Sequence, residues 1–240
     1  MGVPALGTRV IAPPAPIQPG SVAILGGTFD PLHVGHLAVA EEVREALGLE
    51  RILFVPAGVP PHKPGQPISP AEDRAAMASL AIRGNPAFEL CRIELDRAGP
   101  SYAVDTLELL SRADERRAGA SEADRDPSAS GQRRAPRSLT LILSVEALLG
   151  LPAWREPRRV VEFARMAVVP RNGLPKPDGS WLERAFPGQI DRFTFLDGPQ
   201  LDISATDIRA RVRAGRSIRY LVPEDVRVYI GDHDLYRRQS

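Results

Sequence analysis

From Val22 onward, short continuous apolar runs alternate with segments in which apolar residues return every three or four positions. Val22 to Leu25 is such a run, closed by Gly26 and Gly27, and reads as a buried strand. Leu37, Ala40, Val43 and Leu47 then recur at helical spacing, with Gly48 as a stop. Ile52 to Val55 is the next strand. After it, Ser69, Pro70 and Glu72 read as cap, first-turn proline and capping-box acid of a helix carrying Met77 and Leu80, which Gly84, Asn85 and Pro86 end. Phe88 to Leu95 reads as a strand, and Val104, Leu107 and Leu110 mark another helix. Leu139 to Leu143 is a strongly apolar strand followed by a helix around Glu146 to Leu151, with further strands at Met166 to Val169 and Phe193 to Leu196. Strands alternating with helices predict an α/β fold, a doubly wound parallel sheet covered on both faces with right-handed crossovers. Ligands of such sheets bind at the carboxyl ends of the strands, so the loops after Leu25, Val55 and Leu143 are the places to seek chemistry.

Two segments break this rhythm. Residues 1–20 carry five of the 24 prolines and no apolar periodicity, and read as a disordered tail. Residues 111–137 hold no Val, Ile, Leu, Met or aromatic residue, and read as a solvated polar insert with nothing to bury against the cost of ordering its backbone. Without them the chain is the size of a single domain, expected over residues 21–240. At 43% hydrophobic and 25% charged, the composition is that of an ordinary globular protein.

Lys plus Arg number 31 and Asp plus Glu 30, a net charge of +1, so no broad basic face for nucleic acid is indicated. The seven arginines of the polar insert are interleaved with five acids. Cys91 is the one cysteine, which rules out an internal disulfide and a four-cysteine zinc site and suits a reducing compartment, the cytoplasm. No run approaches the length that spans a bilayer. Val10 and Ile11 run into Pro13, Pro14 and Pro16, which is no secretory signal, and Leu6 stands where a myristoylation start needs Ser or Thr.

The loop after the first strand reads Gly26, Gly27, Thr28, Phe29, Asp30, Pro31, Leu32, His33, Val34, Gly35, His36. Two glycines and Asp30-Pro31 by themselves make a turn. His33 and His36, three apart at a helix start, project to one side of its first turn, where backbone N–H groups and the helix dipole favour an anion. Phosphate is the natural ligand; a solvated pair is the plainer alternative, and a metal site would need more ligands than lie nearby. Near the C-terminus, Ile203, Ser204, Ala205, Thr206, Asp207, Ile208 and Arg209 read as a capped helix start, with Gly215 as its stop.

The first string resembles the signature of the nucleotidyltransferase superfamily related to class I aminoacyl-tRNA synthetases, whose H-x-G-H motif binds a nucleotide triphosphate. The second is similar to the I-S-[SA]-T-x-I-R motif of its adenylyltransferases. The resemblance implies a Rossmann-like fold of nucleotidyltransferase type. It also implies an ATP site formed by Gly26, Gly27, Thr28, Phe29, His33, Gly35, His36, Ser204, Thr206 and Arg209, with His33, His36 and Arg209 catalytic.

Three further segments resemble the nicotinate-nucleotide adenylyltransferase family over most of residues 21–240: the Pro60-Pro61-His62-Lys63 loop, the block from Glu94 to Thr106, and the block from Leu143 to Trp154. Tyr220 to Tyr236 is similar to the family's closing helix. The likeness implies an acceptor site at Lys63, Tyr102, Thr106, Glu146 and Trp154; a solvated lysine and packed aromatics are the plainer alternatives. Ser144, Val145, Glu146 stands in place of the family's G-x-D, and Ala103 replaces a threonine; both departures are expected on the acceptor side. The implied substrates are ATP, carrying Mg²⁺ with no protein metal ligand expected, and nicotinate mononucleotide. The alternatives are the acceptors nicotinamide mononucleotide or phosphopantetheine, or a non-catalytic ATP-binding regulatory protein. Neither nucleic acid nor a membrane is an expected partner, and monomer and homo-oligomer both remain open.

Overall fold

The computed structural model describes residues 21–61, 67–123, 139–170 and 173–237. The Pro-rich tail therefore lies outside the described residues.

Six parallel strands form one sheet: β1 (Val22–Gly27), β2 (Arg51–Pro56), β3 (Phe88–Leu90), β4 (Leu139–Ser144), β5 (Ala164–Val169) and β6 (Phe193–Phe195). Their order is β3-β2-β1-β4-β5-β6, the doubly wound arrangement whose direction of winding reverses between β1 and β4. The α/β expectation holds.

Side chains alternate across the sheet and build two apolar layers. Ile24, Val55, Leu141, Leu143, Met166 and Val168 face one way, against Val104 and Leu107 of α3 (Ala103–Ala123), Leu148 of α4 (Val145–Gly150), Val160 and Val161 of α5 (Pro157–Phe163) and Leu182 of α6 (Gly179–Ala185). Ala23, Leu25, Ile52, Phe54, Ile142 and Ala167 face the other way, against Ala40 and Val43 of α1 (Val34–Ala46) and Ala78 and Ile82 of α2 (Ala71–Ile82). Fully burying one such Val, Leu or Ile contributes roughly 1.5–3 kcal/mol, which is why the centre of the sheet tolerates polar loops at its carboxyl edge. A third cluster joins Met77 of α2 to Ile208 of α7 (Ala205–Arg213) and Val226 and Ile230 of α8 (Glu224–Asp232). It fastens the C-terminal helices beside the first loop.

Four local expectations change. The polar stretch after Leu110 is not all loop: α3 continues to Ala123, and residues 124–137 lie outside the described ones. Its Ala, Arg and Glu residues favour helix, and extending a helix already nucleated on buried Val104 and Leu107 is cheap. Glu108 and Arg112 add an i,i+4 pair at 2.7 Å. β3 stops at Leu90 because it is an edge strand, paired only with β2. The chain then turns, with Asp96 N–H donating to Arg92 O at 2.9 Å. Pro70 is itself the N-cap of α2, and no side chain caps that helix. The backbone N–H of Ser69 donates instead to Asp30 Oδ2 at 3.3 Å. Finally, α5 and α6 are seven residues each, too short for their apolar spacing to announce them.

Candidate active site

Two cavities open at the carboxyl edge of the sheet, of about 480 and 450 Å³. They share Gly26, Ile142, Leu143 and Trp154, which puts their junction at the β1/β4 switch point. A Cβ added at Gly26 would meet no atom within 4 Å. A side chain there would therefore project into the shared space.

The first cavity is lined by His33, Gly35 and His36 from the start of α1 and by Ser204, Thr206 and Arg209 from the start of α7. The two imidazoles stack at 3.7 Å between centroids, and the Phe29 ring meets His36 edge-on at 5.1 Å. His33 N–H donates to His36 Nδ1 at 3.2 Å. That bond makes Nδ1 an acceptor and assigns the proton of a neutral His36 ring to Nε2. Two glycines make the packing possible. A Cβ on Gly35 would lie 3.1 Å from His33 Nδ1, and one on Gly27 would lie 3.0 Å from the Phe29 ring.

Phe29 itself is buried, at φ 50°, and lies outside the lining of both cavities. What it touches is the His36 ring, which it meets edge-on. At α7, Ser204 Oγ accepts from Asp207 N–H at 3.0 Å, the cap the sequence predicts. Arg209 is held at the cavity wall: Nη1 donates to Asp30 O at 2.7 Å and Nη2 to Thr206 Oγ1 at 3.3 Å.

The second cavity takes Gly27 and Thr28 from the first loop, Glu94, Tyr102 and Thr106 around the start of α3, and Arg155 after α4. Tyr102, Thr106 and Trp154 are thus brought together, whereas Lys63 lies outside the described residues. Thr106 directs its hydroxyl to Glu94 Oε1, 2.6 Å away, so it braces that carboxyl first. Glu146 lies in the first turn of α4, exposed and lining neither cavity. Ser144 lines the first cavity, not the second, and caps α4 by accepting from Ala147 N–H at 3.2 Å. The two departures thus line different cavities, Ala103 the second and Ser144 the first.

Four further residues shape the cavities; Arg74 and Arg155 lie in no motif, and Asp30 and Glu94 lie in motif segments without an assigned role. Arg74 of α2 is 2% exposed and donates to the carbonyls of Thr28 (2.9 Å), Ala57 (2.6 Å), Gly58 (3.2 Å) and Ser69 (3.1 Å). One guanidinium thereby ties the loop after β1 to both ends of the connection between β2 and α2. Burial pulls its pKa down, opposed by the charge of Asp30. Asp30, 2% exposed, accepts from Tyr236 OH at 2.7 Å and lies 4.0 Å from Arg209 Nη1. Burial raises the Tyr236 hydroxyl pKa, and the Asp30 charge adds to it.

Glu94 is buried in the second cavity; desolvation pushes its pKa up, while bonds from Thr106 and Ser101 oppose the shift. Arg155 stacks over the Tyr102 ring at 4.9 Å, and lies 3.6 Å from Asp105 and 3.7 Å from Glu156, beyond hydrogen-bond reach. Among the described residues it is the cation of this cavity.

An anion-binding cleft of two helix starts, at the switch point of a doubly wound sheet, defines a nucleotide-phosphate protein. Consistent with it, residues 24–211 match the Cytidylyltransferase-like family. The chain is 46% identical over 216 residues to the probable nicotinate-nucleotide adenylyltransferase of Roseiflexus sp. (strain RS-1), covering 90% of this chain and 98% of that one. It is 42% identical to the corresponding protein of Thermomicrobium roseum, over 90% and 91% of the two chains. The chain belongs to the nicotinate-nucleotide adenylyltransferase family. The fold is also that of the Plasmodium falciparum nicotinic acid mononucleotide adenylyltransferase complexed with APC, with a TM-score of 0.67 at 15% identity over 90% of this chain and 97% of that one.

Proposed function

We propose that the chain transfers AMP from ATP to the 5′-phosphate of nicotinate mononucleotide, releasing pyrophosphate and forming nicotinate adenine dinucleotide. The observation that carries this reading is the pair of cavities meeting at Gly26, Leu143 and Trp154, one walled by His33, His36 and Arg209, the other by Tyr102, Thr106 and Arg155. Two substrates lying in them would bring an acceptor phosphate against the α-phosphate of ATP.

An acceptor phosphate oxygen attacks the α-phosphorus while the bond to the bridging oxygen of the β-phosphate breaks, and pyrophosphate departs with the electron pair. The nucleophile is ionised at neutral pH, so no general base is required. Positioning and charge neutralisation are what remain for the protein to supply. His36, presenting Nε2–H, and His33 stabilise the α-phosphate and the leaving group, and Arg209, Ser204 and Thr206 hold the outer phosphates. Lys63 is assigned to phosphate by family likeness alone.

A divalent metal, Mg²⁺, fits on the ATP phosphates. The described residues contain no group of three His, Cys, Asp or Glu that could cage an ion, and Asp202 is the carboxylate lining the first cavity. That donor set suits an ion held by phosphates and water. When bound, it would neutralise phosphate charge. Arg155, which lines the second cavity and not the first, is assigned to the ring carboxylate of the acceptor. Among the described residues no helix is long and apolar enough to cross a membrane, in keeping with a cytoplasmic enzyme of NAD biosynthesis.

The test is pyrophosphate release from MgATP with nicotinate mononucleotide, run beside nicotinamide mononucleotide and phosphopantetheine. Faster turnover of either competitor would overturn the acceptor assignment. ATP binding with no turnover of any acceptor would overturn the enzyme.

A further inference from the structure

At the C-terminal end of α7, opposite its cap Ser204, a third cavity of about 490 Å³ is walled by five arginines: Arg213, Arg216, Arg219, Arg227 and Arg237. They come from separate elements: the last turn of α7, the turn after it, α8, and the segment following α8. The nine residues of α7 put this cavity about 13 Å from Ser204.

Neighbouring acids account for two of these charges. Arg227 pairs with Glu224 at 2.8 Å and Arg237 with Asp234 at 2.6 Å, and Asp232 adds a more distant negative charge to Arg227. Glu224, already engaged by Arg227, also feels the charge of Arg219. Arg213, Arg216 and Arg219 make no ion pair within 4 Å among the described residues, so positive charge is in excess at the cavity wall. The dipole of α7 favours a cation in its last turn, which explains Arg213. It does not explain Arg216 and Arg219, which lie beyond the helix. The loop carrying them is built, not loose: Arg216 N–H donates to Arg211 O at 2.8 Å, Arg219 N–H to Ser217 Oγ at 3.2 Å, and Gly215 sits at φ +65°.

Converging guanidiniums repel one another unless an anion lies between them, and their planar forks match phosphate oxygens in pairs. We infer that this cavity binds a small anion carrying two or more phosphate groups, at a site separate from the adenylyl-transfer cleft. A small ligand is favoured over nucleic acid because the positive charge is concentrated in one concave site of ligand size, on a chain of net charge +1.

Titration calorimetry of the full chain with inorganic tripolyphosphate should resolve two sites. Arg216→Ala combined with Arg219→Ala should weaken one of them by at least about ten-fold and leave adenylyl transfer unchanged, whereas Arg209→Ala should weaken the other. The second site should weaken further between 0.05 and 0.5 M salt, as a partly exposed ionic site must. A single site in the unaltered chain, or two sites retained in the double variant at equal melting temperature, would overturn the inference. If the double variant does not fold, the single substitutions at Arg216 and Arg219, each expected to weaken the site several-fold, decide the matter. A single-stranded oligonucleotide binding through the same arginines more tightly than tripolyphosphate would overturn the small-ligand assignment.

Discussion

The two halves of the active cleft are built on different plans. The half proposed for ATP is the start of α1 and the start of α7, each a contiguous string of seven to eleven residues; the first brings its glycines and the His pair, the second the Ser204 cap, Thr206 and Arg209. The half proposed for the acceptor is assembled from five stretches, around Gly27, Ala57, Glu94 to Leu107, Leu141 to Leu143, and Trp154, none of which forms a site by itself. A helix start brings its N–H groups and dipole wherever it goes, so an anion site survives as a local unit. A site for a ring and a ribose needs walls, and walls come from packing.

Substitutions can break or sharpen this contrast. The largest effect is expected from His36→Ala, which should lower kcat by about 10² to 10³, the usual cost of removing one preorganised oxyanion donor. It should leave the ratio of kcat/KM for nicotinate over nicotinamide mononucleotide unaltered. A changed ratio would show that the two halves are not separable.

Arg74→Met comes next. It removes donors to four loop carbonyls at once and should cost about 3 kcal/mol of stability, roughly 6–12 °C in Tm for a domain of this size. Thermal unfolding checks it, and a shift below about 2 °C would mean that the loops hold themselves.

A smaller and more selective effect is expected at the rim of the acceptor half. Arg155→Ala should reduce the preference for nicotinate over nicotinamide mononucleotide about ten-fold, the worth of one hydrogen bond to a charged group, with Arg155→Lys retaining part of it. Equal losses for both acceptors would put the guanidinium on their common phosphate instead.

The smallest effect is a pH dependence. Because burial raises the Glu94 pKa, the fold favours its neutral form. That contribution is complete below the ordinary carboxylate pKa and is lost as pH rises through the raised value. Unfolding curves of Glu94→Gln and the unaltered chain should therefore run parallel in acid, with the variant gaining relative stability across that window. A difference independent of pH would show that folding does not shift the Glu94 pKa.

The contrast between the halves also separates what could be read along the chain from what could not. Strands β1, β2, β4 and β5 were legible because central strands of a parallel sheet are apolar on both faces. The cap of α7 was legible because Ser204 and Asp207 N–H are three residues apart. Glu146, expected at the acceptor from the family pattern, is exposed in the first turn of α4 and lines neither cavity, which a pattern along the chain does not show. Arg74 gave no signal, because an arginine in a helix looks solvated until the loops that surround it are in place. Arg155 was silent for a related reason: its role depends on Tyr102, which meets it only across the cleft.

The sequence by itself determined the alternating architecture, the two helix starts and the family, through motifs each of which is contiguous in the chain. The tertiary structure decided that the two helix starts face one cleft, that Asp30 meets both Arg209 and, more than two hundred residues along the chain, Tyr236, and that α7 ends beside a cluster of arginines. The physical reason is range. Hydrophobic period, capping and dipole act between near neighbours, whereas a cavity exists only where distant segments are packed against one another.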